Sequence, residues 1–260
     1  MGRLQDRVAI VTGGGRGIGA ATAELFAREG AKVIVATLSR GPGEETVAAI
    51  RQAGGAATLV QVDMGDRASV RDLIATTAAT YGGIDVIVHN AAYIPFAMIE
   101  ALSDEDLDKT FDVGVKACFW LAKDALPHLR KSRAGRILVT SSVAGLSHAI
   151  VGMAHYSAVK SAINGFVRGA GLELARFGIT VNAVAPGLTE SASLRRTASP
   201  DAIKSMASRI PLRRPAEAIE QAYGFLYFAS DEAAYVTGTV LPIDGGHLLG
   251  NPGGIELDQI

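Results

Sequence analysis

Near its N-terminus the chain reads Val8-Ala-Ile-Val-Thr12-Gly13-Gly14-Gly15-Arg16-Gly17-Ile18-Gly19, and this stretch decides the fold. A short apolar run passes through a glycine loop into an alanine-rich segment that extends to Arg28. Strand, glycine loop and helix in this order form the start of a βαβ unit. The same alternation repeats along the chain, which predicts a parallel sheet covered by helices on both faces.

The predicted strands are short and almost entirely apolar, as buried parallel strands are. They span 8–11, 32–36, 58–62, 84–88, 136–140, 180–184 and 239–243, and the predicted helices span 17–28, 44–53, 68–81, 104–130, 155–177 and 217–230. No linker or repeat divides the chain, so we predict a single α/β domain over residues 1–260, a doubly wound parallel sheet of the Rossmann type. Within it we expect a substrate lid at 187–215 and a C-terminal tail at 247–260.

Composition narrows the classes of function. The chain has 260 residues, 48% hydrophobic and 20% charged, and its 25 Lys and Arg nearly balance 26 Asp and Glu. This balance offers no basic surface for nucleic acid or anionic membranes, so we expect neither as a partner. Cys118 is the single cysteine, which excludes an intramolecular disulfide and a cysteine metal cluster. With charges in the first ten residues where a secretory signal is apolar, we expect a cytoplasmic protein without a metal site.

The glycine loop is typical of a dinucleotide site. Glycines let the backbone approach a pyrophosphate, whose charge meets the free N–H groups of the following helix. A simple tight turn is the alternative, but the strand before the loop and the helix after it favour the nucleotide site. The predicted contacts are Gly13, Gly15, Arg16, Gly17, Ile18 and Gly19.

The end of the second predicted strand indicates which dinucleotide binds. Sites for NAD usually place a carboxylate here to accept hydrogen bonds from the adenosine ribose. The chain instead has Thr37, Ser39 and Arg40, which together with Arg16 suit a 2′-phosphate. We therefore predict NADP(H), with NAD(H) as the alternative because a loop arginine is often only solvated. The remaining predicted contacts on this side, at the rim of an adenine pocket, are Asp63 and Met64.

A tyrosine and a lysine supply the predicted chemistry. Tyr156 and Lys160 stand four residues apart at the start of a predicted helix, so both project from one face. The ammonium is predicted to lower the tyrosine pKa toward the range of a general acid or base. That spacing decides little alone. Ser142 closes the fifth strand at the edge where α/β sheets bind ligands, and its hydroxyl can polarise a carbonyl.

Together these motifs resemble those of the classical short-chain dehydrogenases/reductases, over nearly the whole chain. The matching elements are the glycine loop 12–19, Asp63, Asn90-Ala91, Ser142, Tyr156-Ser-Ala-Val-Lys160, Asn182, Pro186-Gly187 and Asp244-Gly245-Gly246. The resemblance implies that Tyr156 exchanges a proton with the substrate oxygen, Lys160 lowers its pKa and holds the nicotinamide ribose, and Ser142 positions the substrate. The further cofactor contacts that it implies are Asn90, Ala91, Pro186, Gly187, Leu188 and Ser191.

Family resemblance also implies a homodimer or homotetramer built on two helices. The apolar residues expected at that interface are Phe119, Trp120, Phe166 and Leu172.

Two positions depart from the family pattern. The fourth helix has Gly114 where the family usually has an asparagine that holds a water in the proton relay behind the lysine. Glycine keeps the backbone carbonyl but lacks the amide, and in a helix it costs about 0.5–1 kcal/mol relative to alanine. The other departure is His89-Asn90-Ala91-Ala92, where the family commonly shows Asn-Asn-Ala-Gly.

The substrate pocket is predicted to be apolar. His148 and His155, at the apolar stretch 146–154, and residues 93–96 are expected to line it. A place in the core or at a subunit interface is the alternative for these residues.

Three hypotheses about function follow. The first is an NAD(P)(H)-dependent oxidoreductase that interconverts a secondary alcohol and a ketone on an apolar or cyclic small molecule. The second is a 3-oxoacyl thioester reductase, in which Arg195 and Arg196 meet an acidic carrier protein, although a solvated pair is the plainer interpretation. The third, of another class, is a catalytically impaired dinucleotide-binding sensor protein, which Gly114 favours and the retained Ser142, Tyr156 and Lys160 argue against.

Overall fold

Seven parallel strands form one sheet in a computed structural model that describes residues 2–191, 194, 195 and 198–250. The strands are β1 Val8–Thr12, β2 Lys32–Thr37, β3 Ala56–Gln61, β4 Val86–His89, β5 Arg136–Thr140, β6 Thr180–Pro186 and β7 Val240–Ile243. Their order in the sheet is β3-β2-β1-β4-β5-β6-β7. β1 pairs with β2 on one side and with β4 on the other. The strand order reverses between β1 and β4. A crevice opens there at the carboxyl ends of the strands, where doubly wound sheets bind ligands.

Helices cover both faces of the sheet. They are α1 Gly17–Arg28, α2 Arg40–Gln52, α3 Arg67–Tyr81, α4 Asp104–Phe111, α5 Ala117–Leu129, α6 Ala154–Leu174, α7 Pro200–Ala207 and α8 Ala218–Ala229. One hydrophobic core joins the sheet to α1, α2 and α8, and includes the fully buried rings of Phe26, Phe225 and Phe228. A second core joins the opposite face to α3, α5 and α6. Strands buried on both sides explain why their sequences are apolar runs rather than alternating patterns.

The predicted α/β architecture is confirmed, and the main difference lies in the predicted helix 104–130. It is divided into α4 and α5 by a π-helical turn at Asp112–Lys116 that contains Gly114. A π turn widens the helix by one residue and shifts which backbone carbonyls are bonded within it. Sequence periodicity carries no sign of such an insertion.

The lid segment (residues 187–215) contains a helix, α7, that was predicted as irregular chain. The Oγ of Ser199 accepts a hydrogen bond from the Ala202 N–H at 3.2 Å, and Pro200 occupies the first turn. A serine cap followed by proline is a recognised helix start. The signal was therefore present in the sequence, although the helix is only eight residues long. Of the predicted tail 247–260, a short 3-10 turn at His247–Leu249 is described, and residues 251–260 lie outside the described residues.

None of the helices in the described ranges has both the length and the apolar composition that crossing a membrane requires.

Candidate active site

The fold brings the three predicted catalytic residues to one cleft. Ser142 follows β5 and begins a short 3-10 turn, where its Oγ accepts a hydrogen bond from the Ala144 N–H at 3.1 Å. Tyr156 and Lys160 lie in the first turns of α6, and the Lys160 Nζ is 5.5 Å from the Tyr156 ring centroid. Their side chains line the cleft together with Thr140 and with Pro186-Gly187 at the end of β6. The cleft therefore holds a phenol, a hydroxyl and an ammonium at the carboxyl edge of the sheet.

Burial governs the protonation of this group. Lys160 is 4% exposed, and its Nζ donates a hydrogen bond to the Thr140 carbonyl at 2.6 Å. Burial lowers the pKa of Lys160 to about 8, because the charged form loses its water. Burial also raises the pKa of Tyr156, and only a hydrogen bond with Ser142 opposes that rise. The expected lowering of the tyrosine pKa by the lysine is thus absent, since the ammonium is turned toward a carbonyl.

The glycine loop leaves space only for glycine at several positions. Gly13 and Gly17 have φ values of 62° and 53°, in the left-handed region that other residues rarely adopt. A Cβ at Gly19 would lie 2.2 Å from the Gly13 carbonyl oxygen, so the loop packs directly against α1. The helix begins at Gly17 without a side-chain cap, because Arg16 makes no capping hydrogen bond. Its first N–H groups remain available to an anion, which fits the predicted pyrophosphate.

A threonine joins the glycine loop to the end of β4. The Oγ1 of Thr12 accepts hydrogen bonds from the N–H groups of Asn90 at 3.0 Å and Ala91 at 3.1 Å. The Asn90 Oδ1 in turn accepts a hydrogen bond from the Thr140 hydroxyl at 3.1 Å. These bonds fix the loop against the carboxyl ends of β1, β4 and β5. Asn90, predicted as a cofactor contact, thus lies between the glycine loop and the end of β5.

A larger pocket of about 610 Å³ adjoins the cleft and shares Ser142 and Tyr156 with it. Its other lining residues are Ile94, Val143, His148, Ala149, Ile150, Val151, Met153, Pro186, Gly187, Leu188, Thr189, Ser191, Leu194, Met206, Arg209, Ile210 and His247. The lining is largely apolar, as predicted, and the volume suits a small organic substrate. The predicted residues His148, Leu188 and Ser191 lie in this wall.

Several residues expected in the pocket wall lie elsewhere. His155 is 4% exposed, and its Nε2 is bonded to the Pro95 carbonyl at 2.9 Å, so it holds the loop after β4 and does not line the pocket. The Tyr93 hydroxyl donates to Asp106 at 2.6 Å. Phe96 is 70% exposed and packs over Gly152. Of residues 93–96, only Ile94 lines the pocket, because the chain turns outward immediately after it.

Within the described part of the chain, no group of three His, Cys, Asp or Glu side chains is placed to hold a metal ion.

Comparisons with known proteins agree with this geometry. Residues 13–247 match a family model described as enoyl-(acyl carrier protein) reductase. An uncharacterised oxidoreductase of Thermotoga maritima is 40% identical over 94% of this chain and 98% of its own. A 2,5-dichloro-2,5-cyclohexadiene-1,4-diol dehydrogenase of Sphingobium indicum is 38% identical over 95% of this chain and 98% of its own. The chain belongs to the short-chain dehydrogenase/reductase family.

A solved structure of the same family extends the comparison to a bound nucleotide. It comes from Agrobacterium tumefaciens, is provisionally assigned as a 2-deoxy-D-gluconate 3-dehydrogenase, and contains NADP. It superposes with a TM-score of 0.87 at 31% identity, covering 95% of this chain and 98% of its own. Short-chain dehydrogenases/reductases use NAD(P) cofactors, and the glycine cradle of this chain fits such a cofactor.

The first departure from the family pattern has a structural explanation. A Cβ at Gly114 would lie 2.4 Å from the Cγ1 of Val159, the residue next to Lys160. The space in which the family asparagine would begin is therefore filled by a valine methyl from α6. The Gly114 carbonyl accepts a hydrogen bond from the Cys118 thiol at 3.1 Å, and burial raises the pKa of that thiol to about 12. Cys118 thus behaves as the small buried group that its sequence context predicts.

The second departure, His89, has a role that sequence reasoning missed. Because the Thr12 Oγ1 already accepts two N–H groups, its own proton donates to the His89 Nδ1 at 2.9 Å. The Nε2–H of His89 then donates to the Val113 carbonyl at 2.9 Å, in the π turn. Burial and the charge of Lys160 lower the pKa of His89 to about 4, so the ring is neutral. This neutral histidine joins the glycine loop to the turn behind Lys160.

The residues predicted to contact a 2′-phosphate on the adenosine ribose lie at the end of β2, at the start of α2 and on the glycine loop. Thr37 is the last residue of β2, and Ser39 directly precedes α2. Arg40 forms an ion pair with Glu44 at 2.8 Å within its own helix. Exposed pairs of this spacing contribute only about 0.3–0.5 kcal/mol, so the guanidinium can exchange partners. Arg16 is exposed on the glycine loop, and no side-chain hydrogen bond or ion pair holds it within the described residues.

The predicted adenine-rim residues have structural roles. The Asp63 Oδ1 accepts a hydrogen bond from the Gly65 N–H at 2.8 Å, which shapes the turn after β3. Met64 is 4% exposed and belongs to the hydrophobic core between the sheet and α3. Its side chain packs inward, and the contact of Met64 with the cofactor stays a prediction.

Proposed function

We propose that the protein is an NADP(H)-linked oxidoreductase that interconverts a secondary alcohol and a ketone on an apolar or cyclic small molecule. The observation that carries this proposal is the meeting of Ser142, Tyr156 and Lys160 in a cleft between the glycine cradle and the apolar pocket. A relative that acts on a chlorinated cyclohexadiene diol supports the substrate class.

Each residue has a distinct part in the proposed reaction. The glycine loop 13–19 would hold NADPH, which would supply the hydride for the carbonyl carbon. Tyr156 gives its phenolic proton to the carbonyl oxygen, which becomes the alcohol oxygen, and Ser142 donates a hydrogen bond that orients the same oxygen. Lys160, protonated below pH about 8 and bonded to the Thr140 carbonyl, would hold the nicotinamide ribose. In the direction of alcohol oxidation the same proton returns to the tyrosine.

The preference for NADP(H) rests on the absence of a carboxylate at the end of β2. Thr37 stands there, with Ser39 two residues beyond and the unpaired Arg16 across the glycine loop. A solved relative with bound NADP supports this choice. Thr37→Asp should shift the ratio of kcat/KM for NADPH over NADH toward NADH, because a carboxylate accepts the ribose hydroxyls and repels a phosphate. An unchanged ratio would contradict the proposed preference.

A 3-oxoacyl thioester reductase is the second candidate. A 3-oxoacyl-[acyl-carrier-protein] reductase of Thermotoga maritima, 36% identical over 94% of this chain, favours it. The lid gives it less support, since Arg195 is engaged with Glu190 at 2.9 Å and Arg196 lies outside the described residues. Turnover of a 3-oxoacyl thioester at a higher kcat/KM than any cyclic ketone would decide in its favour.

We also propose that two copies associate through α5 and α6. Phe119 and Leu172, on these helices, are 55% and 82% exposed. Trp120 is half-buried. Phe166 is only 6% exposed and packs edge to face on Phe119 at 4.8 Å, so it supports the surface from below rather than forming it. Light scattering of the native protein and of Leu172→Glu tests this interface.

The buried free thiol of Cys118 is consistent with the proposed cytoplasmic, reducing location.

The deciding experiment measures initial rates of NADPH and NADH oxidation over a panel of cyclic ketones, aryl ketones and 3-oxoacyl thioesters. Tyr156→Phe should lower kcat by at least about 100-fold, since it removes the general acid. Tyr81→Phe is the matched control, because its hydroxyl bonds to Thr58 far from the cleft. Turnover that survives Tyr156→Phe would refute the acid/base assignment. Tight dinucleotide binding without any turnover would instead favour the sensor hypothesis.

A further inference from the structure

The apolar pocket has one charged side chain in its described lining. That residue is Arg209, which follows α7, and among the described residues no carboxylate lines the pocket with it. Ser142 and Tyr156 belong to both the catalytic cleft and the pocket, whereas Arg209 lines the pocket alone. Arg209 is an exposed residue, so it lies at the solvent side of the pocket.

Arg209 differs from the other described arginines of the lid segment in having no side-chain partner. Arg195 is paired with Glu190 at 2.9 Å, and Arg214 with Glu220 at 2.6 Å. The Arg213 Nη1 donates to the Ser208 carbonyl at 2.7 Å. No hydrogen bond or ion pair of the Arg209 guanidinium occurs among the described residues, and its five donors remain available to a ligand.

Two histidines line the same pocket as Arg209. The rings of His148 and His247 are 4.5 Å apart between centroids, and they come from the segment after β5 and from the turn after β7. The His247 Nδ1 is buried without a hydrogen-bond partner in the described structure. Buried polar atoms are nearly always bonded, so this atom is available to a ligand in the pocket. Burial and the neighbouring His247 lower the pKa of His148, which leaves its ring neutral and able to donate one N–H.

The carboxylates of Glu190, which lines the catalytic cleft, and of Asp244, which follows β7, are already occupied. Glu190 holds Arg195, and both oxygens of Asp244 accept backbone N–H groups, from Gly246 and Leu248 at 2.9 Å each. Neither carboxylate is left to neutralise Arg209. The described lining thus combines an apolar body, with residues such as Ile150 and Met206, and one exposed arginine whose guanidinium has no partner among the described residues.

We propose that the substrate carries a carboxylate on its apolar body, remote from the reacting oxygen, and that Arg209 pairs with it while His148 and His247 donate hydrogen bonds. This inference rests on the proposed function, because Ser142 and Tyr156 define the reacting end of the same pocket. An arginine fork matches the two oxygens of a carboxylate.

Three matched ketones test the inference with NADPH: 4-oxocyclohexanecarboxylate, its methyl ester and 4-methylcyclohexanone. The expected result is a kcat/KM for the acid at least about tenfold above that for the ester. Arg209→Met should remove this advantage by lowering kcat/KM for the acid more than for the ester and the plain ketone, and Arg209→Lys should retain part of it. Arg213→Met is the control for loss of a lid arginine outside the pocket.

A binding measurement separates failure of the inference from failure of the proposed function. Calorimetric titration with cyclohexanecarboxylate and its methyl ester, in the presence of NADP⁺, needs no turnover. Two results would refute the carboxylate site: equal kcat/KM for acid and ester, or a loss of kcat/KM on Arg209→Met that is the same for all three ketones. Either result would still agree with the proposed oxidoreductase activity. If no ketone reacts, the proposed function fails for this class. The titration then decides the inference: binding of the acid that Arg209→Met abolishes supports it, and equal binding by both proteins refutes it.

Discussion

The contact between Gly114 and Val159 gives the sharpest test of how this chain differs from its family. A Cβ at position 114 would lie 2.4 Å from the Val159 Cγ1, and Val159 is 3% exposed, so neither residue has room to move. Overpacking a core in this way costs about 1–3 kcal/mol. The gain from removing a helical glycine, about 0.5–1 kcal/mol, offsets part of that cost. Gly114→Ala should therefore lower the free energy of unfolding by up to about 2 kcal/mol.

Urea denaturation measures this change, and Gly165→Ala is the matched control. Gly165 lies in α6, and a Cβ there would meet no atom within 4 Å. This control should stabilise the protein by about 0.5–1 kcal/mol, because only the conformational term remains. The same Gly→Ala substitution should therefore lower the free energy of unfolding at position 114 and raise it at position 165.

A double-mutant cycle assigns the effect to the contact. Val159→Ala removes two methyl groups and by itself costs about 1.5 kcal/mol. In the double variant the added methyl at 114 occupies the space that valine leaves, so the combined loss should fall short of the sum by at least about 1 kcal/mol. Losses that add within about 0.5 kcal/mol, or stabilisation by Gly114→Ala equal to that of Gly165→Ala, would refute the reasoning. Gly114→Asn combined with Val159→Ala then asks whether an amide behind Lys160 raises kcat.

The remaining predictions concern three buried titratable groups. Lys160→Met should abolish activity yet raise the free energy of unfolding by about 3 kcal/mol at pH 7, because the folded pKa of about 8 lies below the ordinary 10.5. The free energy of unfolding of the wild type should rise as pH increases from 8 to 10.5, because the buried lysine loses its proton before the unfolded one does. The difference in urea midpoint between Lys160→Met and wild type should therefore shrink over that range, and a constant difference would contradict the lowered pKa of Lys160. The pKa of His89 is lowered from 6.5 to about 4. As pH falls from 6.5 to 4, the free energy of unfolding of the wild type should therefore drop by about 3 kcal/mol relative to that of His89→Asn. Denaturation curves of the two proteins at each pH measure this difference. Cys118, with a thiol pKa raised to about 12, should resist a thiol reagent at pH 8 and react only along the unfolding transition; labelling of the native protein would show that the residue is accessible.

Local sequence patterns were sufficient for the elements and for the catalytic spacing. The predicted bounds of α1 and β5 agree with the structure, because an apolar run or a glycine loop before a helix acts within a few residues. Tyr156 and Lys160 share a face of α6 because a helix places residues four apart on one side. Ser142 reaches them because parallel strands all end at one edge of the sheet.

Contacts between distant segments were decided only by the tertiary structure. The bond of His89 to the Val113 carbonyl spans 24 residues, and the methyl of Val159 that fills the space at Gly114 comes from another helix. The pocket likewise joins Arg209 to histidines from two other segments. No local periodicity records which distant side chain fills a space or bonds to a carbonyl, because those choices depend on how the layers pack.

The sequence by itself therefore determined the parallel sheet, and it indicated the glycine cradle and the three residues proposed as catalytic, since each rests on spacing within one element or at the end of a strand. Tertiary packing decided the π turn, the neutral state of His89 and the unpaired charge of Arg209. These features arise from burial and from partners far apart in the chain, and they determine how this member of the family departs from the common pattern.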